Sequence, residues 1–216
     1  MLCAALPPDA LIPALASLGE PLSAQLADLR SAIVRAACDT LRELATVYGP
    51  ALALGSMPLI VAVLPQLLSN LALLKAFSTV SVSAASVLIG LAPCATALKV
   101  LISHTKAAQW QARQGAYELM SILLLAGKED GGTGGAAASL PSSLPTFRVS
   151  LKGLEAVLAA VARGLNDPDG AARSAAARAY WAALDAGHDM KVLDAWLSSL
   201  AAKEQKLIER SRVTKR

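Results

Sequence analysis

The chain has 216 residues, 55% of them hydrophobic and 17% charged, with a net charge of +4. That apolar content excludes global disorder and suffices for a continuous core. Ala and Leu dominate, aromatic residues make up 4%, and long stretches lack turn signals, so the composition predicts an all-α fold.

The opening residues have no basic start and no unbroken apolar run before Pro7 and Pro8, so no secretory signal is expected and the cytosol is the expected compartment. Cys3, Cys38 and Cys94 stand singly in apolar surroundings, without the spacing of a zinc or dithiol site; they are read as small core residues in a reducing compartment. No metal and no cofactor is expected.

Helical segments follow one another along the chain. The first is "PDALIPALASL", in which Pro13 is expected to bend the helix. It precedes "DLRSAIVRAACDTLRELA". In that helix Arg35 is followed, two and three positions on, by the small residues Ala37 and Cys38. The pattern recurs after "MPLIVAVLPQLLSNLALL", where Val82 precedes Ala84 and Ala85, and after "PCATALKVLISH", where Arg113 precedes Gly115 and Ala116. The last copy follows "FRVSLKGLEAVLAAVARGL", with Arg173 ahead of Ala175 and Ala176. Larger apolar residues come next in the first three copies, at Leu41 and Leu44, Leu88 and Leu91, and Leu119 and Ile122. Small residues on a helix face let a neighbouring helix approach, so each copy is read as the second helix of a pair.

Residues 127–146, rich in Gly, Ala, Ser and Pro, read as a flexible insert. With the insert set aside, the marked positions recur about every 30 to 50 residues, the period of a HEAT-type α-α superhelix, here of four to five helix pairs. The expected layout is one domain over 1–210, with a basic tail or linker over 203–216. In the turn "DPDG", Asp167 is expected to cap the following helix, Pro168 to open it and Asp169 to favour its positive end. "DMKVLDAWLSSLAAKEQKLIERS" reads as one closing helix. The tail charge suits an acidic polymer or acidic protein surface, and equally a solvated helix end.

Catalytic motifs are missing. "GGTGG" lacks the Lys-Ser/Thr of a phosphate loop, His104 and His188 have no companion residues, and no nucleophile elbow surrounds any serine, so no enzyme is expected. Trp110, Trp181 and Trp196 read as packing residues, and without an aromatic row no nucleic-acid partner is expected. The charge-free stretches 44–74 and 76–98 are long enough for a membrane hairpin, but Pro58, Pro65 and scattered Ser residues interrupt them and the repeat register continues through both.

Three stretches, "QLADLRSAIVRAACDTLRELA", "KAAQWQARQGAYELMSILL" and "DPDGAARSAAARAYWAAL", resemble the TOG domains of cytoplasmic linker-associated proteins (CLASPs), from about Pro8 to about Arg210. The resemblance implies binding of αβ-tubulin or the microtubule through the turns within helix pairs, regulation of microtubule dynamics, and a cytoplasmic, cytoskeletal location. It also implies other microtubule plus-end proteins as partners, and no membrane. The family's first unit, with its exposed tryptophan, has no counterpart, because no Trp precedes Trp110. Turn cations Arg30, Lys75, Lys106 and Arg173 are the expected tubulin contacts, with Asp28, Ser31, Gln109 and Asp169 as weaker ones. Arg35 and Arg113 are expected to brace neighbouring units. A HEAT scaffold for another protein partner remains the alternative.

Overall fold

The computed structural model describes residues 8–55, 57–73, 75–91, 94–126 and 149–213. The expected insert at 127–146 lies outside the described residues, as does Cys3. Among the described residues there is helix and no strand. The chain divides into two compact units, Met1–Val100 and Leu101–Arg216.

The first unit contains α1 (Pro8–Ser17), α2 (Gly19–Leu26), α3 (Ser31–Gly55), α4 (Met57–Asn70) and α5 (Lys75–Leu91). α6 (Cys94–His104) begins in this unit and ends in the next. α2 was not visible as a separate helix in the sequence, because it begins directly after α1 with Leu18 between them. It packs on α4. The approach is close: a β-carbon at Gly19 would lie 3.1 Å from that of Ala62. At the other end of α2, the fully buried Asn70 donates from Nδ2 to the carbonyl of Leu26 at 2.9 Å, satisfying an end group that the helix itself leaves open.

α3 shows why the small residues recur. Val34, Ala37, Cys38, Leu41 and Ala45 form one buried stripe at three- and four-residue steps. The helix packs on α5, whose Ala84 and Ala85 are also fully buried. α3 kinks at Tyr48, where φ is −119° and ψ 20°. α4 buries Leu59, Ile60, Val63, Leu64, Leu67 and Leu68 completely despite Pro65 inside it. Pro65 leaves the carbonyl of Val61 without its helical donor, and Val61 is exposed, so water can serve there. No helix among the described residues is long and apolar enough to cross a membrane.

The second unit contains α7 (Trp110–Ala126), α8 (Leu151–Leu165), α9 (Gly170–Asp185), α10 (Met190–Ser199) and α11 (Ala202–Val213). α9 is the alanine helix, and it packs against α7, α8 and α11. Ala172, Ala175, Ala176, Ala177, Ala179 and Ala183 are all fully buried. With helices on several sides, bulk on α9 would force them apart. α8 meets this surface at Gly164, where an added β-carbon would lie 2.5 Å from that of Ala176 and 2.6 Å from the Tyr117 ring. Tyr117 donates its buried hydroxyl to the carbonyl of Ala160 at 2.8 Å, joining α7 to α8.

α9 ends in a Schellman turn. Gly187 takes φ 73°, while the amides of Gly187 and His188 donate to the carbonyls of Leu184 and Ala183. The single closing helix expected from the sequence is two helices, because Leu200 is extended and Ala201 begins a new start: its amide donates to Glu204 in a capping-box arrangement. Most of the stretch read as a basic tail is therefore α11. Its Ile208 is fully buried, and the Trp181 indole donates to the Ile208 carbonyl at 2.9 Å and to the Ser211 hydroxyl at 3.0 Å. Tyr180 stacks on Trp196 at 5.5 Å, and the Arg212 guanidinium lies 4.4 Å from the centre of a Trp181 ring.

Candidate partner-binding turns

In the second unit, two turns are tied together by one side chain. Arg113, on the first turn of α7, donates from Nη1 to the carbonyls of Ala107 at 2.9 Å and Ala108 at 2.7 Å in the α6–α7 turn. The rest of its fork grips Asp167 in the α8–α9 turn, with Nε to Oδ2 at 2.6 Å and Nη2 to Oδ1 at 2.8 Å. The two side chains are only 14% and 7% exposed. Asp167 Oδ1 also accepts the amide of Asp169 at 2.9 Å. The Arg113 hydrogen bond holds the Asp167 carboxyl below its ordinary range, against the opposing effect of burial. Bracing by Arg113 is thus as the sequence predicts.

Arg173 repeats the first half of that arrangement. Its Nη1 donates to the carbonyls of Asp167 at 2.6 Å and Pro168 at 2.9 Å, the same six- and five-residue reach that Arg113 makes. The expected contact residue therefore braces its own turn. The expected cap also moves: Asp169 precedes α9, and its Oδ1 accepts the amides of Ala171 and Ala172, while Pro168 stays outside the helix. Asp167 cannot cap because its carboxylate is already held by Arg113 and the Asp169 amide.

Arg35 departs from the expected bracing role. It is exposed, and among the described residues its side chain has no hydrogen bond or ion pair. α3 starts one residue earlier relative to its arginine than α7 and α9 do. As a result the carbonyl of Arg30, five residues before Arg35, already accepts the amides of Ile33 and Val34.

The α2–α3 turn is organised by Asp28 instead. Its Oδ1 accepts the Arg30 amide at 2.7 Å, and the Arg30 guanidinium forks onto both carboxylate oxygens at 3.0 and 2.9 Å. These bonds lower the Asp28 carboxyl to about 2. Ser31 opens α3 on the exposed side. Between the paired residues, Leu29 is 92% exposed. Lys75 is the exposed first residue of α5, preceded by the half-exposed Leu73; Lys106 and Gln109 are exposed in the α6–α7 turn beside the partly exposed Trp110. Neither lysine side chain has an ion-pair partner among the described residues.

Sequence reasoning missed Leu29 and Leu73 as turn residues; the signal was an apolar residue out of step with the helical stripe, next to Asp28 in one case and two before Lys75 in the other. Burial raises both described thiols, Cys94 to about 11, as suits packing residues. Among the described residues no group of His, Cys, Asp and Glu gathers to hold a metal.

No curated protein matches the sequence. A solved chain from the structural study of tubulin recruitment and assembly by microtubule polymerases with tumor overexpressed gene (TOG) domain arrays matches with a TM-score of 0.65 at 17% identity, over 99% of this chain and 39% of that one. At that identity the likeness speaks for the fold, an all-α helical-repeat solenoid. The CLASP N terminal family model matches residues 4–209. The chain belongs to the CLASP N-terminal family.

Proposed function

We propose that this chain is a non-catalytic TOG-like module that binds αβ-tubulin, free or at a microtubule end, through the turns within its helix pairs, and so regulates microtubule dynamics. Residues 1–210 act as one module in this reading, located in the cytoplasm on the cytoskeleton, with other microtubule plus-end proteins as further partners. Family membership and the TOG-array likeness support the partner. The observation that carries the surface assignment is Lys106, exposed and without an ion-pair partner on a turn that Arg113 holds rigid. A cation on a pre-organised turn meets an acidic partner without an ordering cost, and steers its approach. Exposed Leu29, Leu73 and Trp110 supply apolar area at the same turns.

Lys75 in the first unit and Lys106 in the second are the principal cations of these turns, with Arg30 and Ser31 beside Leu29, and Gln109 in the same turn as Lys106. Asp28, Asp169 and Arg173 shape the turns. Gel filtration of the chain with purified αβ-tubulin tests the reading: an earlier-eluting complex containing both supports it, and separate elution at concentrations of about 10 μM overturns it.

A further inference from the structure

The second unit holds a pocket of about 440 Å³ where the end of α8 and the start of α9 meet α11. This lies within the usual range for ligand sites, ~300–1,000 Å³. Among the described residues four cations line it, Arg173, Lys203, Lys206 and Arg210, against a single carboxylate, Glu204. Both Glu204 oxygens are engaged by neutral donors, Asn166 Nδ2 and the Ala201 amide. Lys203 and Lys206 are exposed and without ion pairs among the described residues. Leu165 and Leu207 add apolar lining.

Such a lining selects a ligand that is acidic and carries an apolar group. Among the described residues no aromatic side chain lines the pocket, so these residues offer no platform for bases. α11 is fixed against α9 by Ile208 and the Trp181 hydrogen bonds, so the cations stand on a packed helix. We infer that this pocket binds a short acidic peptide segment of a partner protein, with carboxylates meeting Lys203 and Lys206 and one apolar side chain entering between Leu165 and Leu207. The site uses α11 and does not require the turn lysines or tubulin, so it stands or falls separately from the proposed function.

The test is fluorescence anisotropy of the full chain with a fluorescein-labelled peptide of glutamates around one leucine. Saturable binding that weakens at least about tenfold between roughly 0.05 and 0.5 M salt is expected. The pair Lys203→Glu and Lys206→Glu removes it by about tenfold or more, and the neutral pair Lys203→Gln and Lys206→Gln by a smaller factor. The charge-matched pair Lys152→Glu and Lys191→Glu, exposed and outside the pocket, leaves it unchanged. Replacing the peptide's leucine by serine weakens binding several-fold. Equal losses in the two charge-reversed pairs, no saturable binding by wild type, or a leucine-free peptide binding as well would overturn the inference. A single-stranded oligonucleotide bound as tightly through the same lysines would overturn the choice of a peptide. Thermal melts of each variant verify that the fold is intact.

Discussion

The guanidinium of Arg113 on α7 forks onto the carboxylate of Asp167 in the α8–α9 turn, while its remaining nitrogen holds two carbonyls of the α6–α7 turn. One side chain thus fixes two of the turns proposed to face tubulin. Since both partners are largely buried, removing either leaves the other buried without its counter-charge. Arg113→Ala and Asp167→Asn are each expected to destabilise the chain by about 3–5 kcal/mol in denaturant melts. Arg113→Lys recovers part of this at most, because an ammonium cannot reproduce the fork. A double variant no worse than the poorer single one would show the coupling directly.

The same pair predicts acid sensitivity. Asp167 is depressed in the folded state, so the unfolded chain takes up a proton first as pH falls. Its contribution is fully present above the unfolded value of about 4 and is lost as pH drops through the lower folded value. Between about pH 5 and pH 2, wild type should lose more stability than Asp167→Asn, measured by urea midpoints. Parallel profiles would contradict the assignment.

Two glycines make opposite predictions. A β-carbon at Gly164 collides with Ala176 and Tyr117, both on packed helices, so Gly164→Ala is expected to cost about 1–3 kcal/mol. Gly90, near the end of α5, has open space around it among the described residues, and Gly90→Ala is expected to stabilise by up to about 1 kcal/mol. Thermal melts compare the two. Equal effects would remove the close-packing explanation of the small residues.

Those small residues are also what made the fold legible. A pair such as Ala175 and Ala176 behind a turn has one physical use, close approach, and the marked pairs Ala37–Cys38, Ala84–Ala85, Gly115–Ala116 and Ala175–Ala176 are all buried. The bracing by Arg113 was likewise readable, because a cation one turn into a helix stands within reach of the preceding carbonyls. Its acidic partner was not: Asp167 is 54 positions away, and local spacing made it look like a cap. Arg35 misled because the small pair sets rotation around the helix, whereas bracing depends on where the helix starts. The break between α10 and α11 was hidden because Leu200 and Ala201 carry no Gly or Pro, and the turn is made by Glu204 reaching back.

Leu29 is a surface test with little structural cost. At 92% exposure it supports no core, so Leu29→Ala should leave the melting temperature unchanged within error. The proposed function expects it to weaken tubulin binding by about 1 kcal/mol or more, read by titration. Unchanged affinity would remove the α2–α3 turn from the surface.

The central claim is that tubulin meets the turns, and a titration of labelled αβ-tubulin with wild type and with the combined Lys75→Glu and Lys106→Glu variant tests it most directly. Both lysines are exposed and make no ion pair among the described residues, so the variant should melt as wild type does. The account predicts affinity lower by about tenfold or more, with the difference shrinking at high salt. Identical binding curves for the two proteins would contradict it.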